Sequence, residues 1–188
     1  MPGHKPLGPS PLLLGLYNAV PNVLWSVLSL LPISVFCYLH VERPWLYGLL
    51  VVSLLGYAVP ISQFKRLQLS HKRATYRALG VHVANQFTQH GTIINHLIQR
   101  RYPHYRHVRT RAALASFVRT TYYQEQFHLV LFLFFLLISF YAVVHGYLGW
   151  FLLLTLTNTI YNLYPMWLQQ YLRLRLSGAP PLRDKPGS

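Results

Sequence analysis

Four stretches of this chain are long, apolar and nearly free of charge: residues 11–39, 44–62, 127–144 and 146–168. Each is close to or above the roughly 18–20 residues that cross a bilayer core. A soluble domain has no way to cover so many uninterrupted apolar faces. The wider composition agrees, with 53% hydrophobic residues and 11% charged residues, about half the charged share of an ordinary soluble domain. The expectation is an all-α, polytopic membrane protein with about four transmembrane helices and a helical, basic cytoplasmic loop at 63–126. Residues 1–176 form a single integral-membrane domain, and 177–188 form a disordered tail rich in Gly and Pro.

The charges orient it. Of the 17 lysines and arginines, 16 fall in the N-terminus, the central loop or the C-terminal segment, and only Arg43 falls on the other side of the expected spans. Basic loops stay cytoplasmic, so both termini and the loop are expected in the cytosol of a multi-pass cell-membrane protein. Basic residues that flank spans are drawn to anionic headgroups, making membrane lipids a partner. No nucleic-acid-binding motif accompanies the formal net charge of +14, which argues against nucleic acid as a ligand.

Other classes fall to the inventory. Cys37 is the single cysteine and lies within an apolar run, which excludes a disulfide framework and a cysteine metal site. The N-terminal run is too long for a cleaved signal and has no small-x-small site, so it is expected to remain as an anchor, kinked or subdivided at Pro21 and Pro32. In the loop, breaks are expected at Gly80, Gly91 and Pro103. Ile93, Ile94, Leu97 and Ile98 recur at helical spacing between the last two, and Thr110–Gln126 reads as a helix running into the third span.

The chain has three acidic residues, Glu42, Glu125 and Asp184. Glu125 stands at the entrance to the third span, three residues before His128 and one turn after Thr121, on one helix face. Ionisable groups near lipid are costly and usually face the bundle interior. The fourth span carries Asn158, Asn162, Gln169 and Arg173 at spacings that also keep one face. A hairpin turning near Gly146 sets His128 level with residue 164, both about 27 Å from the turn at 1.5 Å per residue. Two readings stay open from geometry: a reactive pair, or Glu125 paired with Arg119 or Arg173 while the asparagines fasten helices together. A metal site from Glu125, His128 and His90 or His96 lacks the acids such sites normally supply, and none is expected.

NLYPMWLQQYLRLRL at 162–176 resembles the C-terminal signature of the glycosyl-4,4'-diaponeurosporenoate acyltransferase family of small bacterial membrane proteins. The matching positions are Asn162, Pro165, Gln169, Tyr171, Arg173 and Arg175. The family's Glu-x-x-His at the head of a span matches Glu125 and His128. YRALGV at 76–81 and HGTIIN at 90–95, ending in Asn95, resemble two further elements. Three positions depart: Thr92 replaces an Asp, Gln170 an Arg, and Thr120-Thr121 a Glu-Thr.

The resemblance implies transfer of a fatty acyl group, with acyl-CoA as co-substrate and no other cofactor, to a sugar hydroxyl of a lipid-soluble carotenoid glycoside. His128 is then the general base, oriented by Glu125, and Asn162 or Gln169 donates to the oxyanion. Arg173, Arg175, Tyr171, Arg100, Arg101 and Asn95 are the candidate substrate contacts, the arginines holding the phosphates of CoA. The glycerolipid-acyltransferase His-x4-Asp is absent. The alternative class is a non-catalytic membrane scaffold or lipid-binding subunit.

Overall fold

The computed structural model describes residues 9–88, 91–103 and 111–177, and among these there is no strand. Helix α1 (Pro11–His40) starts where the Ser10 hydroxyl accepts from the Leu13 amide at 3.3 Å, with Pro11 in the first turn. It runs unbroken through Pro21 and Pro32, so the expected subdivision does not occur. Proline is tolerated inside apolar helices of this kind because neighbouring groups take up the freed carbonyls. At 30 residues it is about 45 Å long, more than a bilayer core requires.

The second span is the main departure. Helix α2 (Arg43–Leu54) has twelve residues, about 18 Å, and continues only as a 3-10 turn, Leu55–Ala58. Val59 is extended ahead of Pro60, as the residue before proline tends to be, and a second 3-10 turn covers Ile61–Lys65. Gln126 closes this frayed end by donating from Nε2 to the Tyr57 and Val59 carbonyls, both at 3.0 Å. Gly56 lets the turn lie against the long helix that follows, since a Cβ there meets Val130 Cγ2 at 3.0 Å.

Among its described residues the basic segment contains the short α-helices α3 (Arg73–Ala78), α4 (Val81–Ala84) and α5 (Thr92–Arg101). Gly80, at φ +73°, separates α3 from α4; Gly91 precedes α5 and Pro103 follows it, as the sequence indicates. On α5, Ile94 and Ile98 are buried, with Leu14, Tyr17 and Tyr102 packed beside them. The N-terminal part of α1 is therefore covered by the basic segment.

Helix α6 (Arg111–Val144) runs 34 residues without a break, merging the end of the expected loop with the third span. The chain reverses at Gly146, φ +80°, with Tyr147 N donating to Ala142 O at 2.8 Å. Helix α7 (Leu148–Asn158) then passes through a π-helical segment, Thr159–Leu163, into α8 (Tyr164–Ser177). Among the described residues two helices are each long and apolar enough to cross a membrane, within Pro11–His40 and Leu114–Val144. The expected fourth span is divided by the π segment, and the expected second is short in helix.

Candidate functional site

The π segment decides which side chains reach α6. A π turn inserts one extra residue into an α-helix, so positions beyond it are displaced by one relative to a straight helical count. A straight count from Asn162 leads to Gln169. The structure instead buries Gln170, 2% exposed, and turns its Nε2 onto Glu125 Oε1 at 2.5 Å. Gln169 is only half-buried and lies outside this network.

Glu125 is fully buried. Its second oxygen pairs with Arg173 Nη2, and Arg173 Nη1 reaches Thr121 Oγ1 at 3.4 Å. The guanidinium also lies over the Tyr122 ring, 4.1 Å from its centroid. Behind Gln170 the network continues outward. Its Oε1 accepts from the Leu69 amide at 3.0 Å and from the Tyr76 hydroxyl at 2.8 Å. Tyr76 accepts in turn from the Ser70 amide at 3.1 Å. Burial raises the Tyr76 phenol above its ordinary pKa, keeping it a proton donor. Each oxygen of the Glu125 carboxylate thus meets a donor held from behind, the condition under which a buried carboxylate is tolerable.

The expected Glu125–His128 pairing is therefore not what forms: the carboxylate is committed to Gln170 and Arg173. His128 sits within hydrogen-bonding reach of the Asn162 side chain and the Tyr161 backbone, within three residues of the predicted level. Asn162 is fully buried, and its Oδ1 can accept from the imidazole when His128 carries its proton on Nδ1. Its orientation follows from its neighbours. The Phe132 carbonyl can only accept, so Asn158 presents Nδ2 to it at 3.1 Å. Asn158 Oδ1 then faces Asn162 and takes Nδ2 from it at 2.9 Å. Asn162 is left presenting an acceptor, which does not suit the oxyanion role expected of it.

Arg173 also lines a cleft of about 380 Å³ at the basic end. Lys65, His71 and Gln68 are its other polar lining residues, Leu114, Val118, Leu174 and Leu176 its apolar ones, and Tyr122 stands next to Arg173. The other expected substrate contacts lie elsewhere. Tyr171 is buried against Tyr76 with ring centroids 6.3 Å apart. Arg175 is exposed, and its carbonyl and that of Leu174 accept from Arg73 at 3.4 and 3.0 Å, closing the end of α8. Arg100 and Arg101 are exposed at the end of α5, and Asn95 is half-buried on it; none of the three lines the cleft. Among the described residues no group of three His, Cys, Asp or Glu side chains comes together; His90 lies outside them.

Residues 60–179 match the profile of the glycosyl-4,4'-diaponeurosporenoate acyltransferases. The chain belongs to that family. The matched region contains Glu125, His128, Asn162, Gln170 and Arg173, and so holds the buried network and the cleft of this acyltransferase-family protein. No curated protein and no solved structure matches the chain. Of the residues that sequence reasoning missed, Tyr76 opens the YRALGV stretch and so carried a signal. Gln126 and Tyr122 carried none beyond their position next to Glu125.

Proposed function

We propose that the protein is a membrane-interface acyltransferase that moves a fatty acyl group from acyl-CoA to a sugar hydroxyl of a carotenoid glycoside or similar glycolipid. The observation that carries this reading, beside family membership, is the cleft lined by cationic Lys65 and Arg173 together with Leu114, Val118, Leu174 and Leu176. A donor with phosphates at one end and a hydrocarbon chain at the other needs that mixture. His128 lies six residues deeper along α6 than Tyr122, about 9 Å at 1.5 Å per residue.

In the reaction the hydroxyl oxygen attacks the thioester carbonyl carbon while its proton passes to the His128 imidazole. The C–S bond then breaks, the oxygen ester remains, and the thiolate of CoA takes the proton back. An imidazole exchanges protons near neutral pH, which fits both halves of this cycle. Glu125 acts as a positioning residue, holding Arg173 beside the cleft and Gln170 against the segment at 69–76.

The topology proposed with this activity is four passes with both termini and the segment at 63–126 in the cytosol, supported by the basic asymmetry. The short α2 with its 3-10 extension and the divided α7–α8 complete the second and fourth passes. Reporter fusions at residues 42 and 95 are expected to read outside and inside; an outside signal at 95 removes the cleft from the acyl-CoA pool and overturns the mechanism.

The second reading is a non-catalytic scaffold, favoured by the commitment of Glu125 to Arg173 and Gln170, a structural arrangement. His128→Ala separates the two. Acylated glycolipid formed per unit of folded, membrane-extracted protein is expected to fall about 10²–10⁴-fold. Near-full activity, or a loss explained entirely by failed accumulation, supports the scaffold.

A further inference from the structure

The segment that brings Lys65, Gln68 and His71 to the cleft is not held by packing. A 3-10 turn ends at Lys65, α3 begins at Arg73, and the chain between them is irregular. No residue from 65 to 75 is buried, and Leu67 and Leu69 are 56% and 46% exposed. Apolar burial fixes only the flanks, at Phe64 and Tyr76. The middle is fixed by two consecutive backbone amides. Leu69 N donates to Gln170 Oε1 at 3.0 Å, and Ser70 N donates to the Tyr76 hydroxyl at 3.1 Å. That hydroxyl lies 2.8 Å from the same Gln170 oxygen. The residues on either side of the two amides, Gln68 and His71, are the ones that line the cleft.

Gln170 suits this place because its two ends differ. The Leu69 amide can only donate, so the carboxamide oxygen faces it and the nitrogen faces Glu125, at 2.5 Å. Glu125 also pairs with Arg173, which lines the cleft from α8. A single run of contacts, Leu69–Gln170–Glu125–Arg173, therefore sets the spacing between the irregular segment and the cation on α8. An arginine at 170 has no acceptor for the Leu69 amide, and a glutamate there sets a second carboxylate against Glu125. Recognition of phosphate depends on the placement of its donors, and donors ordered beforehand cost less to order on binding.

We propose that Gln170 and Tyr76 are positioning residues for the donor: they latch residues 68–71 so that Lys65, His71 and Arg173 meet its phosphates as one preset group. The proposal rests on the acyl-CoA reading above. Neither Gln170 nor Tyr76 lines the cleft, so both act through the segment they hold.

The test uses the full chain in phosphatidylcholine nanodiscs, with labelled CoA for binding, acyl-CoA for turnover and amide exchange over residues 66–72. Tyr76→Phe should speed exchange at Leu69 and Ser70. It should also weaken CoA binding and raise the KM for acyl-CoA about tenfold, the scale of one lost hydrogen bond. The kcat should stay near that of the parent, the pattern of lost uniform binding. Gln170→Arg should weaken binding as much or more, and the double variant no further than Gln170→Arg alone, since both break one latch. An adenosine bisphosphate should displace CoA, and glycerol phosphate, the headgroup fragment of a lipid, should not. Faster exchange with unchanged CoA affinity overturns the latch, as does a fall in kcat with KM unmoved. Equal displacement by glycerol phosphate overturns it as a donor device. CoA binding that shows these losses without any acyl product sustains the latch and fails the acyltransferase reading alone. Where the variants do not accumulate, the wild type decides: CoA should slow exchange at Leu69 and Ser70, and no slowing overturns the proposal.

Discussion

The two ends of the bundle are buried by different physics. At the hairpin end, Phe36, Phe135, Ile138 and Leu154 are 0% exposed and belong to one apolar cluster, beside the stacked Tyr141–His145 pair and His40 against Tyr147. At the basic end, Glu125, Asn162, Thr121 and Gln170 are as deeply buried, yet nearly every polar atom is aimed at a specific partner. Apolar packing asks for volume and is indifferent to chemistry. A buried carboxylate asks for particular donors in particular places, and removing one strands the rest. The hairpin end therefore holds the helices together, and the basic end holds a chemical arrangement.

The largest effect is expected at the basic end. Arg173→Leu leaves Glu125 buried without its cation and should destabilise the protein by about 3–5 kcal/mol, read as lost thermal resistance in detergent. Adding Glu125→Leu to it should restore most of that stability while leaving activity low. If the single variant is as stable as the parent, the network contributes nothing and the contrast between the ends collapses.

At the hairpin end, Phe135→Ala should cost about 3 kcal/mol through the cavity it opens, whereas Phe135→Leu should cost less. Activity per folded molecule should hold in both. A fall in specific activity that tracks side-chain volume at 135 would show that the ends are not separable.

The smallest effect is expected where the 3-10 extension of α2 docks on α6. Gln126→Leu removes two hydrogen bonds to the Tyr57 and Val59 carbonyls and should cost about 1–3 kcal/mol. Amide exchange or proteolysis should increase around residues 57–65 and nowhere else. Uniform loosening would mean that Gln126 supports the whole bundle.

Much of this could be read from the chain before folding. Apolar run length marks α1 and α6; Gly80, Gly91 and Pro103 mark the breaks in the basic segment; and the scarcity of acids singles out Glu125. The level at which α6 and α7–α8 meet follows from counting back from Gly146. Counting failed at one residue, Gln170 for Gln169, because periodicity assumes 3.6 residues per turn and the π segment between them does not keep it. The length of α2 was also hidden: residues 44–62 are apolar throughout, and apolarity does not distinguish an α-helix from a 3-10 turn that ends before a proline.

By itself the sequence determined which segments avoid water and which carry charge, because transfer free energy is a property of residues and sums along the chain. The choice among donors for a buried carboxylate was decided only by the tertiary structure. Arg119, Arg173, Gln169, Gln170 and His128 all stood within reach in sequence terms. Hydrogen bonding is directional and short-ranged, so the partner is set by a one-residue shift in helix register and by the backing of Tyr76 and Leu69 from a distant segment, neither of which any local pattern encodes.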